Sequence, residues 1–162
     1  MKTPNRRENR LSRSAVAIRP IASFFVLWLM LSCSSTRSMF GGRLPFQVTV
    51  DPDANENSAV AVDLVVVYDA KLVDKLLELS ASAWFLQKNQ LVKDHPRQID
   101  IHKWEWVPGQ SVKGKSVTYE SGAKKIVLFA NYVTEGEHRR VIDPQRPFHL
   151  TLGALDLEVV SQ

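Results

Sequence analysis

The segment Val60-Ala-Val-Asp-Leu-Val-Val-Val-Tyr68 is β-branched and apolar at nearly every position. A half-solvated strand alternates apolar and polar residues, whereas a strand buried on both faces reads as a continuous apolar run. This stretch therefore demands cover on both sides, which restricts the chain to a layered architecture. Asp63 interrupts the run. A lone buried carboxylate is costly, so Asp63 needs a partner or an edge position.

The neighbouring segments supply the layers. Phe46-Gln-Val-Thr-Val50 alternates with period two and predicts a first strand. Asp51-Pro-Asp-Ala-Asn-Glu-Asn-Ser58 concentrates turn formers and reads as a loop with nothing apolar enough to join a core. After Tyr68 the period changes. Leu72, Val73, Leu76, Leu79, Ala83 and Leu86 make one stripe of a single helix from Lys71 to about Leu91, with Lys71, Asp74, Lys75, Glu78 and Ser82 opposite. Asp69 is placed to cap its start, with Tyr68 packing on Val73, and Asp94-His95-Pro96 to end it. The polar face carries both signs of charge, which favours packing on a sheet over lying on a membrane.

The remainder reads as β structure. Ile99 and Ile101 alternate in one phase and Trp104 and Trp106 in the other, which predicts a bulge at His102-Lys103. Pro108-Gly109 turns the chain, Lys115 to Glu120 and Lys124 to Val133 are strands, and Glu135 to Arg140 is an exposed charged connection. Around a two-residue turn at Gly153-Ala154, Leu152 would face Leu155, Leu150 would face Leu157 and Phe148 would face Val159. All the apolar pairs then share one side, as the closing hairpin of a sandwich requires.

The amino end has a different character. Lys2, Arg6, Arg7, Arg10, Arg13 and Arg19 precede the apolar run Ile21 to Leu31, about half the length that spans a hydrocarbon core, so residues 1–32 read as a signal peptide. Met30-Leu-Ser-Cys33 resembles the lipobox of bacterial lipoproteins, which implies cleavage before Cys33 and acylation of its thiol. Residues 33–43 are small and polar and read as a tether, leaving 44–162 as one domain. Six basic residues and one acid precede Cys33, leaving 15 basic against 16 acidic residues in the mature part. A near-neutral domain gives no support to nucleic-acid binding, and a single cysteine forms no internal disulfide.

Catalytic chemistry finds no foothold. His95, His102, His138 and His149 show no metal-ligand spacing, and no phosphate loop or nucleophile elbow occurs. The expectation is a non-enzymatic protein without metal, cofactor or small-molecule substrate. Glu105 between Trp104 and Trp106 imitates a sugar-binding carboxylate between aromatic platforms, but alternation sends it to the opposite face from both rings. A lipid-tethered module binding a small ligand or glycan through these tryptophans is the alternative reading. His138-Arg139-Arg140 could serve an anion, although a solvated loop is the commoner role for such a run.

Taken in order, the elements resemble the TssJ (SciN/VasD) lipoproteins of type VI secretion systems. The matching stretches are Asn57 to Tyr68, Val107-Pro-Gly-Gln110, Ile126 to Tyr132 and His138-Arg139. Asp63 stands where that family tends to carry a basic residue. The resemblance implies a transthyretin-like β-sandwich with one added amphipathic helix. It further implies a lipoprotein on the periplasmic face of the outer membrane, with Ser34 after the lipidated cysteine consistent with that sorting. Its expected partner is the periplasmic part of a TssM-like inner-membrane protein. The connection between the first two strands is the contact such a relationship implies, which nominates Asp51, Asp53, Asn55, Glu56 and Asn57.

Overall fold

The apolar run is an interior strand. The computed structural model describes residues 41–162; the expected signal peptide, Cys33 and most of the tether lie outside them. The chain forms β1 (Gly42–Val50), β2 (Val60–Val67), α1 (Ala70–Leu77), α2 (Ala81–Asp94), β3 (Ile99–Trp106), β4 (Ser111–Tyr119), β5 (Lys125–Asn131), β6 (Arg139–Ile142), β7 (Phe148–Leu152) and β8 (Leu157–Ser161). Two four-stranded sheets result, ordered β4-β1-β7-β8 and β3-β2-β5-β6. Neighbouring strands are antiparallel except β1 and β7, which run parallel.

Both faces of β2 are covered, as its composition requires. Val62, Leu64 and Val66 point between the sheets and meet Phe46, Val48, Leu128, Phe148 and Leu150. Val65 and Val67 point outward and, with Val127 and Phe129 of β5, lie under Leu72, Leu76, Trp84 and Leu91 of the helices. Each fully buried aliphatic or aromatic side chain contributes about 1.5–3 kcal/mol. Trp84 stacks on Phe129 at 5.0 Å between ring centroids, fixing α2 over the sheet. Asp63 shares that outer face at 2% exposure. Its Oδ2 accepts from Lys88 Nζ at 2.8 Å and from Trp84 Nε1 at 3.0 Å, so it has found partners on α2.

The mainly β sandwich of the sequence reading is present, with two helices in place of one. The break falls at Glu78-Leu79, because Ser80 takes an extended conformation and caps a new helix by accepting from Ala83 N. The Leu79 carbonyl, freed by the break, accepts from Arg139 Nη1 at 2.9 Å. The stripe shifts accordingly: Trp84 and Leu91 are buried, while Leu86 is exposed. Asp69 does cap α1, accepting from Lys71 N and Leu72 N, and α2 ends at Asp94.

Three further departures concern the β strands and their connections. β3 carries no bulge, since its pairing with β2 runs unbroken from Val60 opposite Trp106 to Val67 opposite Ile99. Its apolar phase changes because Ile99 and Ile101 belong to the layer under the helices, whereas Trp104 and Trp106 belong to the layer between the sheets. The terminal hairpin pairs Leu152 with Leu157 and Leu150 with Val159, so its connection is the four residues Gly153 to Asp156. A slip of two residues keeps Phe148, Leu150, Leu152, Leu157 and Val159 on the expected face but moves Leu155 into the turn, where it is exposed. The supposed exposed connection after Glu135 contains β6, and His138 within it is buried.

Candidate partner-binding surface

Four connections meet at one end of the sandwich. They are the β1–β2 loop (51–59), the β3–β4 turn (107–110), the β5–β6 connection (132–138) and the β7–β8 turn (153–156). Gly109 N donates to the Val50 and Asp51 carbonyls, and Asp51 N donates to the Leu152 carbonyl. Asn55 N donates to the Ala154 carbonyl at 3.0 Å. Tyr132 Oη donates to the Gly153 carbonyl at 3.1 Å, and Thr134 Oγ1 donates to that of Leu155 at 3.4 Å.

The nominated residues of the β1–β2 loop divide into two groups. Asp53, Glu56 and Asn57 are exposed and Asp51 is half-buried, so their carboxylates and amide can meet a partner. Asn55 cannot, being only 3% exposed. Its Nδ2 donates to the Ala59 carbonyl at 3.0 Å and its Oδ1 accepts from Val133 N at 2.7 Å, clamping the loop to the β5–β6 connection. Ala54 is fully buried and belongs to the core, against the expectation that nothing in this stretch would. Asn55, Glu56 and Asn57 all stand at positive φ, between 48° and 58°. Asparagine tolerates that region better than most residues, and the clamp holds Asn55 there.

The His138-Arg139-Arg140 run, expected as a solvated loop, is instead tied into the fold. His138 Nδ1 lies 2.9 Å from Asp156 Oδ1, and its Nε2 lies 3.0 Å from the Thr134 carbonyl. Arg140 Nη2 donates to Asp156 Oδ2 at 2.8 Å, and Arg139 is paired with Glu137. Burial pushes the Asp156 carboxyl up, but hydrogen bonds from His138 and Arg140 outweigh it and hold the group below the usual carboxylate range. Burial, followed by the charges of Asp156 and Asp51, pushes the Tyr132 phenol well above its ordinary value, so it remains a donor.

Apolar side chains complete this end. Val107, Val133 and Leu155, one from each of three connections, are 53%, 63% and 65% exposed. Sequence pattern places Leu155 in the buried hairpin face and Val133 in a strand, but the longer last turn and the end of β5 at Asn131 leave both exposed; Val107, isolated beside a turn, carries no pattern. Trp104 and Trp106 turn inward: Trp106 is 4% exposed, and Trp104 packs edge-on against Phe46 at 5.2 Å. Neither is an open platform for a sugar ring. Among the described residues no helix is long and apolar enough to cross a membrane, and no group of three His, Cys, Asp or Glu is placed to hold a metal ion.

No protein-family model and no curated protein matches this sequence. Solved structures do match its backbone. The T6SS lipoprotein TssJ1 from Pseudomonas aeruginosa superposes with a TM-score of 0.56 at 15% identity, over 75% of this chain and 97% of that one. The fold is that of TssJ. Serratia marcescens Lip, a membrane-bound component of the type VI secretion system, matches with a TM-score of 0.52 at 16% identity, over 73% of this chain and 96% of its own. A chain from the structure of the TssM C-terminal domain from EAEC matches with a TM-score of 0.52 at 16% identity, over 73% and 97% respectively. The likeness thus takes in 96–97% of each matched chain and 73–75% of this one.

Proposed function

We propose that this protein is a lipid-anchored, non-enzymatic component of a type VI secretion membrane complex, tethered through acylated Cys33 at the periplasmic face of the outer membrane. It docks a TssM-like inner-membrane protein with the loop end of its sandwich. The observation that carries the reading is the TssJ fold, matched over 97% of the TssJ1 chain, in a protein whose own amino end presents Met30-Leu-Ser-Cys33. Loops held on a rigid sheet are where binding residues commonly lie. Here Val107, Val133 and Leu155 offer apolar contact beside the acidic groups Asp51, Asp53 and Glu56, the combination of an apolar centre with a polar rim that protein interfaces use.

The test is co-purification with the periplasmic part of a TssM-like protein. Asp53→Lys with Glu56→Lys, both on exposed side chains, should weaken capture roughly tenfold or more and leave thermal stability unchanged. Replacing the whole of 53–57 would not serve, because it removes buried Ala54 and the Asn55 clamp. Undiminished capture by the double variant would move the docking site away from this loop.

A further inference from the structure

A single ring ties the β5–β6 connection to the β7–β8 turn. The His138 side chain is 7% exposed, and its nitrogens face two different segments, Nδ1 towards Asp156 Oδ1 and Nε2 towards the Thr134 carbonyl. Both partners are acceptors, one a carboxylate and the other a backbone carbonyl. Each bond therefore needs an N–H from the ring. A neutral imidazole carries one such proton and the imidazolium carries two, so only the charged ring makes both bonds. Gly136 gives the ring its space, since a Cβ at that position would lie 2.6 Å from Nε2.

Charged and polar groups from several elements surround the ring. Asp156 approaches from the β7–β8 turn with its carboxyl held ionised. Arg140 of β6 occupies the second oxygen of Asp156 rather than facing the ring directly. Tyr132, at the end of β5, lies 4.8 Å from the imidazole between centroids and donates its proton to Gly153. Asp51 of the β1–β2 loop sits beside Gly153 of the same turn. Glu137 and Arg139, the chain neighbours of His138 and its adjoining residue, pair with each other.

We infer that His138 is a positioning residue that makes the loop end of the sandwich sensitive to proton concentration. Doubly protonated, it braces the segments that carry Val133 and Leu155 against each other; losing a proton, it releases one bond. The ring is nearly buried, so a lost partner is not replaced by free solvent. Histidine changes charge between about pH 5 and 8. Both bonds exist only while the ring carries two protons, so the brace is present in acid and is lost as pH rises. The inference deepens the docking reading above, and it rests on that reading only for the consequence to partner binding.

Amide hydrogen exchange of the protein at about pH 5.5 and about pH 8, corrected for intrinsic rates, tests it. Relative to the β2 amides, protection within 133–138 and 153–156 should fall about tenfold at the higher pH, the scale of one charge-assisted hydrogen bond. His138→Gln, neutral throughout, should show no such fall, and Asp156→Asn should reduce it while keeping the ring in place. Wild-type protection independent of pH, or an equal fall in Asp156→Asn, overturns the inference. Binding of a TssM-like domain measured at the same two pH values separates the two readings. No binding at either pH, with the exchange pattern as expected, removes the docking reading and leaves the brace standing.

Discussion

Replacing Lys88 by methionine isolates the electrostatic seam between α2 and β2. Lys88 Nζ lies 2.8 Å from Asp63 Oδ2, with the two side chains 17% and 3% exposed. Methionine preserves most of the stem and its packing, so the change falls mainly on the charge. Asp63 is left with the Trp84 indole at 3.0 Å as its donor, which does not neutralise it. Removing one member of a buried ion pair costs about 3–5 kcal/mol. In a domain of this size that corresponds to roughly 10–25 °C in melting temperature. Thermal and urea unfolding of the purified variant against wild type would read the loss directly. The companion variant Asp63→Leu with Lys88→Met removes both charges and should recover to within about 1–2 kcal/mol of wild type, because well-packed apolar residues replace buried pairs at little cost. A single Lys88→Met variant within about 1 kcal/mol of wild type would refute the reasoning, since it would mean that Asp63 is solvated or satisfied without the lysine.

Two other substitutions probe the remaining links. Asn55→Ala removes both halves of the clamp and strands the Val133 amide, which should cost about 1–3 kcal/mol and expose the β1–β2 loop to limited proteolysis; unchanged cleavage would mean that Ala54 and the loop's backbone hydrogen bonds hold it without the side-chain clamp. Cys33→Ser should abolish incorporation of labelled palmitate in cells and release the protein from the membrane fraction, and equal labelling of the variant would remove the lipoprotein reading.

Strand periodicity and turn chemistry are local properties, and the chain states them openly. Val60 to Val67 had to be covered on both faces, Asp69 had to cap a helix, Pro108-Gly109 had to turn, and the alternation of Phe148 to Val159 had to close a sandwich; each of these follows from a few adjacent residues. What only the tertiary structure decided depends on contacts between residues far apart in sequence. Ser80 and Ala83 alone do not end a helix that the stripe would continue, whereas Ser80 as a cap together with Arg139 on the Leu79 carbonyl does. The two phases of β3 look like a bulge until two layers are present to receive them. The last turn closes with Asp156 held by His138 of the β5–β6 connection and Arg140 of β6, and Asn55 is buried because Val133 arrives from 78 residues away. Polar side chains such as Asn55 and His138 read as surface in the sequence because nothing local shows where their hydrogen-bond partners will come from. Folding supplies those partners across the sandwich, and it therefore settles which polar residues hold the loop end together and which stay exposed.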